Sequence, residues 1–332
     1  MFFKNVLFVV DSHTEGEPTR IVLGGLPKVL GRDMVERKKF IMEKLDWIRT
    51  SVIHEPRGHI DSFGAILLPS VSNDVDFGLI FMDSGGYLDM CGHATMGVTT
   101  ALIELGIVEA KEPYTSITYE TPAGTVMARA FVKSGRVKEV TVRDVPSFYL
   151  KTVEVDVPGV GVVTADIAFG GNFYALIKAS DVKIDIRPRN IKKIIDLALI
   201  IRKTVNEEIK IQHPVKPHIN EVKLVMLYED IERRKFRNVV VFGEGSFDRS
   251  PCGTGTAAKL ATMYATDKIE LNEQVISESI IGTHFKAKVV EEAEIGGLKA
   301  IIPELTGRAY ITGITQVIID PNDPLRHGFL VR

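Results

Sequence analysis

Cysteine is nearly absent from this sequence, since its 332 residues include only two. Two cysteines cannot build the disulfide framework of a small secreted domain, and thiols in the cytosol stay reduced. The chain also lacks any apolar run approaching the roughly 18 residues that a membrane-spanning helix needs. Residues 1–10 are briefly apolar but show neither a basic leader nor a small-residue cleavage site, and they predict a first strand at residues 6–10. We therefore expect a cytoplasmic protein with no membrane partner.

An excess of charge of either sign is absent as well. The formal net charge is −2, which gives no electrostatic footprint for nucleic acid or for an anionic membrane. Hydrophobic residues at 45% and charged residues at 25% are ordinary for a globular protein. We therefore expect a small-molecule substrate and no nucleic-acid partner. A length of 332 residues exceeds what one core usually supports, and it predicts two domains.

The two cysteines have closely similar surroundings. Residues 91–95 (CGHAT) and residues 252–256 (CGTGT) share the pattern Cys-Gly-x-x-Thr, and a predicted helix follows each. At a helix N-terminus the backbone N–H groups and the helix dipole favour an anion, which lowers the pKa of a thiol. The following glycine lets a small ligand approach those N–H groups. A lone free cysteine is usually structural, whereas the duplicated context indicates a shared function for Cys91 and Cys252.

The flanking segments arrive in the same order in both halves. The predicted strands are residues 6–10, 19–23, 63–68 and 78–82, then 162–169, 174–177, 224–228 and 239–242. The predicted helices are residues 33–52, 96–105, 190–208 and 257–265. After each cysteine helix, residues 117–132 align with residues 275–290 and match Glu120 with Glu278. This repeat predicts two similar α+β domains facing each other across a cleft, each a curved, mostly antiparallel sheet or barrel around a central helix.

Two thiols that enter one cleft from opposite sides suit inversion at a carbon beside a carboxylate. One thiolate removes the Cα proton, and the opposite thiol returns a proton to the other face. Backbone N–H groups at the two helix starts would bind the carboxylate and stabilise the charge that develops on it. This chemistry requires no metal and no pyridoxal phosphate, so no cofactor is expected.

Residues 89–94 (DMCGHA) and residues 248–256 (DRSPCGTGT) resemble the two signature motifs of the proline racemase family, within the diaminopimelate epimerase-like fold. Residues 11–16 and 55–59 also resemble that family, so the likeness covers nearly the whole chain. It implies a cofactor-independent homodimeric isomerase that racemises proline or, alternatively, epimerises 4-hydroxyproline at C2. The expected domains are residues 1–134, completed by about residues 300–332 and carrying Cys91, and residues 135–299, carrying Cys252.

The resemblance also implies roles for individual residues. Cys91 and Cys252 would be the acid/base pair, and Asp248 would bind the ring nitrogen. The substrate carboxylate would lie against Gly92, His93, Gly253 and Thr254. Phe63 would pack on the substrate ring, which favours proline because a ring hydroxyl there would lose water without gaining a partner.

Structural interpretations of the same residues remain open. His93 can be a capping or core histidine, Asp248 can order its loop, Thr254 can be a helix cap and Phe63 can be core. The turn residues His13, His59 and Asn172 are predicted to be structural.

Other classes of function are less well supported. Residues 253–258 fit the dinucleotide fingerprint G-x-G-x-x-A, but the nearest predicted strand ends at Phe242, ten residues before Cys252, and residues 91–93 lack the glycine pattern. A non-catalytic imino-acid binding module would have little use for two cysteines, and zinc sites need closely spaced ligand pairs. The trans-3-hydroxyproline dehydratases that resemble this family carry threonine in place of the second cysteine, so Cys252 argues against that activity.

Overall fold

The structure is a computed structural model that describes residues 5–331. It divides the chain into two compact units. The first unit extends to Val140 and resumes at Arg308, and the second unit is Thr141–Gly307.

The first unit contains the Cys91 helix. Its elements, in chain order, are β1 (Asn5–Thr14), β2 (Glu17–Gly24), α1 (Met34–Lys44), α2 (Trp47–Ile53), β3 (Phe63–Pro69), β4 (Phe77–Asp83), β5 (Tyr87–Leu88), α3 (Gly92–Glu104), β6 (Tyr114–Thr121) and β7 (Gly124–Lys133). The strand β8 (Arg136–Arg143) then leads into the second unit.

The second unit contains the Cys252 helix. Its elements are β9 (Phe148–Val157), β10 (Gly161–Phe169), β11 (Phe173–Lys178), a 3₁₀ turn at Pro188–Asn190, α4 (Ile191–Glu208), β12 (Val222–Glu232), β13 (Lys235–Phe242), β14 (Ser246–Phe247), α5 (Gly253–Ala265), β15 (Val275–Glu278), β16 (His284–Ile295) and β17 (Leu298–Gly307). The last strand, β18 (Ala309–Ile319), belongs to the first unit and pairs antiparallel with β1.

The two units share one order of strand pairing. In the first unit β1–β2 is antiparallel, β2–β3 parallel, β3–β4 and β4–β5 antiparallel, β4–β6 parallel and β6–β7 antiparallel. The same alternation runs through β10–β11, β11–β12, β12–β13, β13–β14, β13–β15 and β15–β16. Glu120 on β6 lies opposite Gly78, and Glu278 on β15 lies opposite Arg237. The predicted repeat and the predicted α+β class with mostly antiparallel sheets are confirmed.

The helix behind each cysteine is buried on all sides. Every residue of α3 from Gly92 to Ile103 is buried, and so is every residue of α5 from Gly253 to Met263. Such helices are apolar or small around most of their circumference, as the sequences GHATMGVTTALIE and GTGTAAKLATMYA are. Gly170 permits close packing, because a Cβ at that position would lie 2.2 Å from the carbonyl oxygen of Thr254 on α5. Each cysteine is thus fixed to a rigid, buried element.

The predicted helix at residues 33–52 is two helices, which corrects the sequence interpretation. The chain leaves α1 at Leu45, and α2 begins after Asp46. The carboxylate of Asp46 accepts hydrogen bonds from Arg49 Nε at 2.8 Å and from Tyr87 Oη at 2.9 Å. This long-range anchor at Asp46 accompanies the break, although neither glycine nor proline marks it in the sequence.

The predicted strands at residues 6–10 and 19–23 are also too short. The strands β1 and β2 continue to Thr14 and resume at Glu17, so the turn is only Glu15 and Gly16. Both have positive φ, 48° and 106°, as the two central residues of a type I′ hairpin turn require. No helix among residues 5–331 is long and apolar enough to cross a membrane.

Candidate active site

Cys91 immediately precedes α3 and has extended backbone angles, with φ −149° and ψ 116°. Its side chain is 5% exposed. The sulfur Sγ lies 3.2 Å from Nδ1 of His93, one residue beyond Gly92. The hydroxyl of Thr95 donates to the carbonyl oxygen of Cys91 at 2.7 Å, which fixes the start of the helix. The predicted position of Cys91 at a helix N-terminus is confirmed.

His93 links Cys91 to the predicted ring-packing residue. Its imidazole meets the ring of Phe63 edge-on, with centroids 4.7 Å apart and an interplanar angle of 63°. Phe63, on β3, is 2% exposed, and the carbonyl oxygen of His93 accepts a hydrogen bond from Thr14 Oγ1 at 2.8 Å. The structure therefore brings together Phe63, Gly92, His93 and Cys91, which we call the Cys91 site.

A buried ion pair holds the segment before Cys91. Lys38 on α1 donates to the carboxylate of Asp89, and both side chains are almost fully buried. The carbonyl oxygen of Asp89 accepts from the N–H of Ala123 at 3.1 Å. Lys38 lies 51 positions from Asp89, and the sequence alone gave no reason to pair them.

Cys252 precedes α5 but has a different backbone conformation. Its φ is +59° and its ψ is 107°, a region that residues other than glycine rarely adopt. Strain of this kind persists only where the surroundings determine the conformation. The carbonyl oxygen of Pro251 accepts from Asn238 Nδ2 at 3.0 Å, Thr256 Oγ1 at 3.0 Å and Ser277 Oγ at 3.2 Å. Three donors on one carbonyl oxygen lock the peptide that precedes Cys252.

The side chain of Cys252 faces two polar groups. Its Sγ lies 3.4 Å from Tyr174 Oη, and that hydroxyl lies 2.6 Å from Thr254 Oγ1. The Asp248 carboxylate accepts from the N–H of Ser250 at 2.7 Å, and it also lies close enough to Cys252 to act on the thiol. Tyr174, Asp248, Cys252, Gly253 and Thr254 form what we call the Cys252 site.

The electrostatics of Cys252 overturn one expectation from the sequence. Burial raises the pKa of the Cys252 thiol well above its usual value, and the Asp248 carboxylate raises it further. The hydroxyl of Tyr174 and the N–H of Gly255 act in the opposite direction but do not compensate. The prediction that a helix N-terminus lowers the thiol pKa is therefore wrong for Cys252, because desolvation outweighs the helix dipole.

Sequence reasoning missed three residues around Cys252. Asn238, Tyr174 and Ser277 lie on β13, β11 and β15, and each reaches the cysteine segment only through the fold. The available signal was a polar side chain in a buried strand, since such a group must find a partner. The short strand β14 was also missed, so the nearest strand before Cys252 ends at Phe247 and not at Phe242.

The turn residues His13, His59 and Asn172 each take part in a hydrogen bond with a residue nearby in the chain. Nδ1 of His13 accepts from the N–H of Gly16 at 3.3 Å, and Nδ1 of His59 accepts from the N–H of Asp61 at 3.2 Å. The backbone carbonyl of Asn172 accepts from the N–H of Gly170 at 3.1 Å. Within residues 5–331, no group of three or more His, Cys, Asp or Glu side chains is arranged to hold a metal ion.

Known proteins resemble this chain in sequence and in fold over nearly its whole length. The family model described as proline racemase matches residues 9–330. A proline racemase from Clostridioides difficile is 48% identical over the whole of both chains. A 4-hydroxyproline 2-epimerase from Streptosporangium roseum is 42% identical over 99% of each chain. The crystal structure of a hydroxyproline epimerase from Agrobacterium vitis, with bound trans-4-hydroxy-L-proline, superposes with a TM-score of 0.95, at 32% identity over 100% of this chain and 97% of that one.

The fold and these matches define the class of the protein as an isomerase of the racemase and epimerase type. The chain belongs to the proline racemase family.

Proposed function

We propose that the protein is a cofactor-independent racemase that interconverts L- and D-proline. One observation carries the proposal: the only two cysteines of the chain each precede a buried helix, one in each of two units with the same strand order. The 48% identity to a proline racemase over the whole of both chains supports proline as the substrate.

Cys91 and Cys252 are the acid/base pair of the proposed reaction. The thiolate of one takes the proton from Cα, the C–H electron pair remains on the substrate, and the thiol of the other donates a proton to the opposite face. Backbone N–H groups of a first helical turn have no intrahelical partner. Those at Gly92, His93, Gly253 and Thr254 bind the substrate carboxylate as negative charge moves onto it.

The raised pKa of Cys252 supports an order of roles for the two thiols in this proposal. Its thiol keeps a proton in the resting enzyme, so Cys252 is the acid and Cys91 is the base for the enantiomer that binds this form. Proton transfer reverses the two roles for the other enantiomer. Asp248 lies beside this thiol and accepts a hydrogen bond from the substrate ammonium, the role that the family resemblance implies.

Exchange of the two thiols for hydroxyls tests the mechanism. Cys91→Ser and Cys252→Ser should each lower racemisation of L-proline, followed by polarimetry, by at least 10³-fold, because a serine hydroxyl is a far weaker acid and base at neutral pH. Unchanged circular dichroism and melting temperature serve as the folding control. Racemisation at the wild-type rate by either variant would refute the two-thiol mechanism.

A planar analogue tests the geometry at Cα. Pyrrole-2-carboxylate has a flattened ring like the carbanionic transition state and should inhibit competitively, more tightly than proline binds. Benzoate is the matched control, since it shares the carboxylate and the flat ring but lacks the ring nitrogen that Asp248 would recognise. Equal inhibition by the two compounds would contradict the assigned site.

The preference for proline over 4-hydroxyproline rests on Phe63. Its ring is buried and packs edge-on with the imidazole of His93, two residues after Cys91. In this proposal the phenyl ring is the apolar contact of the substrate ring. A ring hydroxyl against that face would lose about 1–3 kcal/mol of hydration, or roughly ten- to a hundredfold in selectivity.

The matching experiment compares kcat/KM for L-proline and trans-4-hydroxy-L-proline. Phe63→Ser should reduce the preference for proline by about tenfold. Phe148→Ser is the control, because Phe148 is equally buried and also packs edge-on against a histidine, His213. A wild-type preference for hydroxyproline would make the protein a 4-hydroxyproline 2-epimerase. If the ratio of the two kcat/KM values is unchanged in Phe63→Ser, Phe63 is a core residue that does not contact the substrate ring.

A reducing compartment and a homodimer complete the proposal. Neither cysteine is in a disulfide, and the mechanism requires both to remain thiols, which suits the cytoplasm. The family resemblance implies a homodimer, and the exposed apolar side chains Phe8, Tyr310, Ile314 and Ile318 on the paired strands β1 and β18 suit such an interface. Light scattering should give twice the chain mass for the wild type and the chain mass for Ile314→Glu. A monomeric wild type would refute the dimer.

A further inference from the structure

Tyr174 lies beside the Cys252 sulfur, and neither the sequence analysis nor the proposed mechanism gives it a role. It is fully buried on β11, 78 positions from Cys252. Its Oη lies 3.4 Å from Sγ of Cys252 and 2.6 Å from Oγ1 of Thr254. A buried hydroxyl stands between a thiol and a second hydroxyl, so its single proton must be assigned to one of them.

The number of hydrogen-bond donors and acceptors on each group decides this assignment. A tyrosine hydroxyl carries one donor, a threonine hydroxyl carries one donor, and both accept. A thiolate only accepts, so the arrangement that satisfies every group has Thr254 donating to Tyr174 and Tyr174 donating to Cys252. Burial raises the pKa of Tyr174 well above 10, so the phenol keeps its proton while the thiol ionises.

Other groups also act on the ionisation of Cys252. Among the described residues, the Asp248 carboxylate opposes it and the N–H of Gly255 favours it. Burial opposes ionisation most strongly. The phenol of Tyr174 is therefore a side-chain donor at this sulfur, and it acts against the carboxylate and the burial without cancelling them.

We propose that Tyr174 is a positioning residue that donates a hydrogen bond to Sγ of Cys252 and stabilises the thiolate each time Cys252 acts as the base. This inference rests on the proposed two-thiol racemase. Cys91 has a different neighbour, the imidazole of His93 at 3.2 Å. The proposed hydrogen bond from a phenol therefore concerns only the direction of the reaction in which Cys252 is the base.

The presence of only two cysteines makes a direct measurement possible. Protein labelled with [3-¹³C]cysteine gives two signals, which Cys91→Ser assigns, and each Cβ shift follows the ionisation of its own sulfur. Loss of a hydrogen bond to a charged group should move the Cys252 titration in Tyr174→Phe upward by about 1 pH unit. At any pH below the midpoint, the ratio of thiolate to thiol should fall about tenfold.

The chain offers a matched control. Tyr119 is equally buried, and its Oη lies 2.9 Å from Thr99 Oγ1, so Tyr119→Phe removes the same group from the same kind of pair without a cysteine sulfur beside it. It should leave both cysteine titrations unchanged. Thr254→Val is the second test, because the loss of its donor to Tyr174 should raise the Cys252 titration by a smaller amount.

The outcomes are separable from those of the proposed function. An upward shift in Tyr174→Phe that is absent from Tyr119→Phe supports the assignment. Superimposable Cys252 titrations in the wild type, Tyr174→Phe and Thr254→Val overturn it, whatever the racemase activity. A shifted titration in a protein that racemises nothing refutes the proposed function alone. In an active enzyme, the alkaline limb of the kcat/KM profile should move to higher pH in Tyr174→Phe.

Discussion

A buried carboxyl outside the site should dominate the pH dependence of stability. Asp144 lies between β8 and β9, close to where the chain enters the second unit, and is 3% exposed. Its Oδ1 accepts from the N–H of Val145 at 2.7 Å, and its own N–H donates to the carbonyl oxygen of Pro303 at 3.0 Å. Oδ2 has no hydrogen-bond donor among the described residues. Burial accordingly raises the pKa of Asp144 from 3.8 to about 7.

The sign follows from the direction of that shift. The unfolded chain releases the Asp144 proton near pH 4, whereas the folded protein keeps it until about pH 7. The stabilising contribution is complete below pH 4 and is lost as the pH rises through 7. A shift of about 3 units at 1.36 kcal/mol each amounts to about 4 kcal/mol in total. About 3 kcal/mol of this is lost between pH 5 and pH 8.

Asp144→Asn removes the titration and keeps the shape of the side chain. The amide nitrogen without an acceptor adds a penalty of about 1–3 kcal/mol that does not depend on pH. The wild type loses about 3 kcal/mol of unfolding free energy between pH 5 and pH 8 through this group, and the variant does not. The unfolding free energy of the variant relative to the wild type should therefore be about 3 kcal/mol higher at pH 8 than at pH 5. Asp196→Asn, an exposed change on α4, controls for the loss of a charge.

Urea unfolding followed by circular dichroism measures the difference between the two pH values. Fluorescence is unsuitable, because the single tryptophan, Trp47, lies in the first unit. The reasoning is refuted if the unfolding free energies of the variant and the wild type differ by the same amount at pH 5 and at pH 8.

Three further substitutions test the supports of the two sites. Asn238→Ala removes one of three donors to the carbonyl oxygen of Pro251, which precedes Cys252. The change should lower the free energy of unfolding in urea by about 1–3 kcal/mol and should also lower kcat. Lys38→Met leaves the buried Asp89 carboxylate without its cation and should cost about 3 kcal/mol, whereas Lys39→Met, on the exposed neighbour, should cost under 1 kcal/mol. Gly170→Ala forces a Cβ to within 2.2 Å of the α5 backbone and should lower the melting temperature and kcat together.

Periodicity predicted the elements whose structure is decided locally. The helix at residues 190–208 matches α4 because Ile194, Ala198, Ile201 and Val205 repeat at helical spacing and are buried. The break at Leu45 was missed because it accompanies contacts of Asp46 with Arg49 and Tyr87, the latter 41 positions away. Local patterns carry no information about such a partner.

The same division applies to the site. The repeated Cys-Gly-x-x-Thr pattern located Cys91 and Cys252 because each motif is contiguous and starts a helix. Tyr174 could not be found in this way, since the strand β11 is buried along most of its length and its sequence does not show which helix its hydroxyl meets. The thiol pKa was mispredicted for a related reason: the helix dipole is visible in the sequence, but the extent of desolvation is not.

The different surroundings of the two thiols lead to a last prediction about kinetics. L- and D-proline have equal free energy, so kcat/KM must be equal in the two directions. Cys91 has an imidazole neighbour, whereas Cys252 has a phenol and the Asp248 carboxylate, so the two protonation forms of the enzyme are unequally populated. We expect kcat and KM each to differ between L- and D-proline by the same factor, and Tyr174→Phe to change that factor while the two kcat/KM values stay equal. Identical kcat values in both directions, unchanged in Tyr174→Phe, would show that the asymmetry of the two thiols has no kinetic effect.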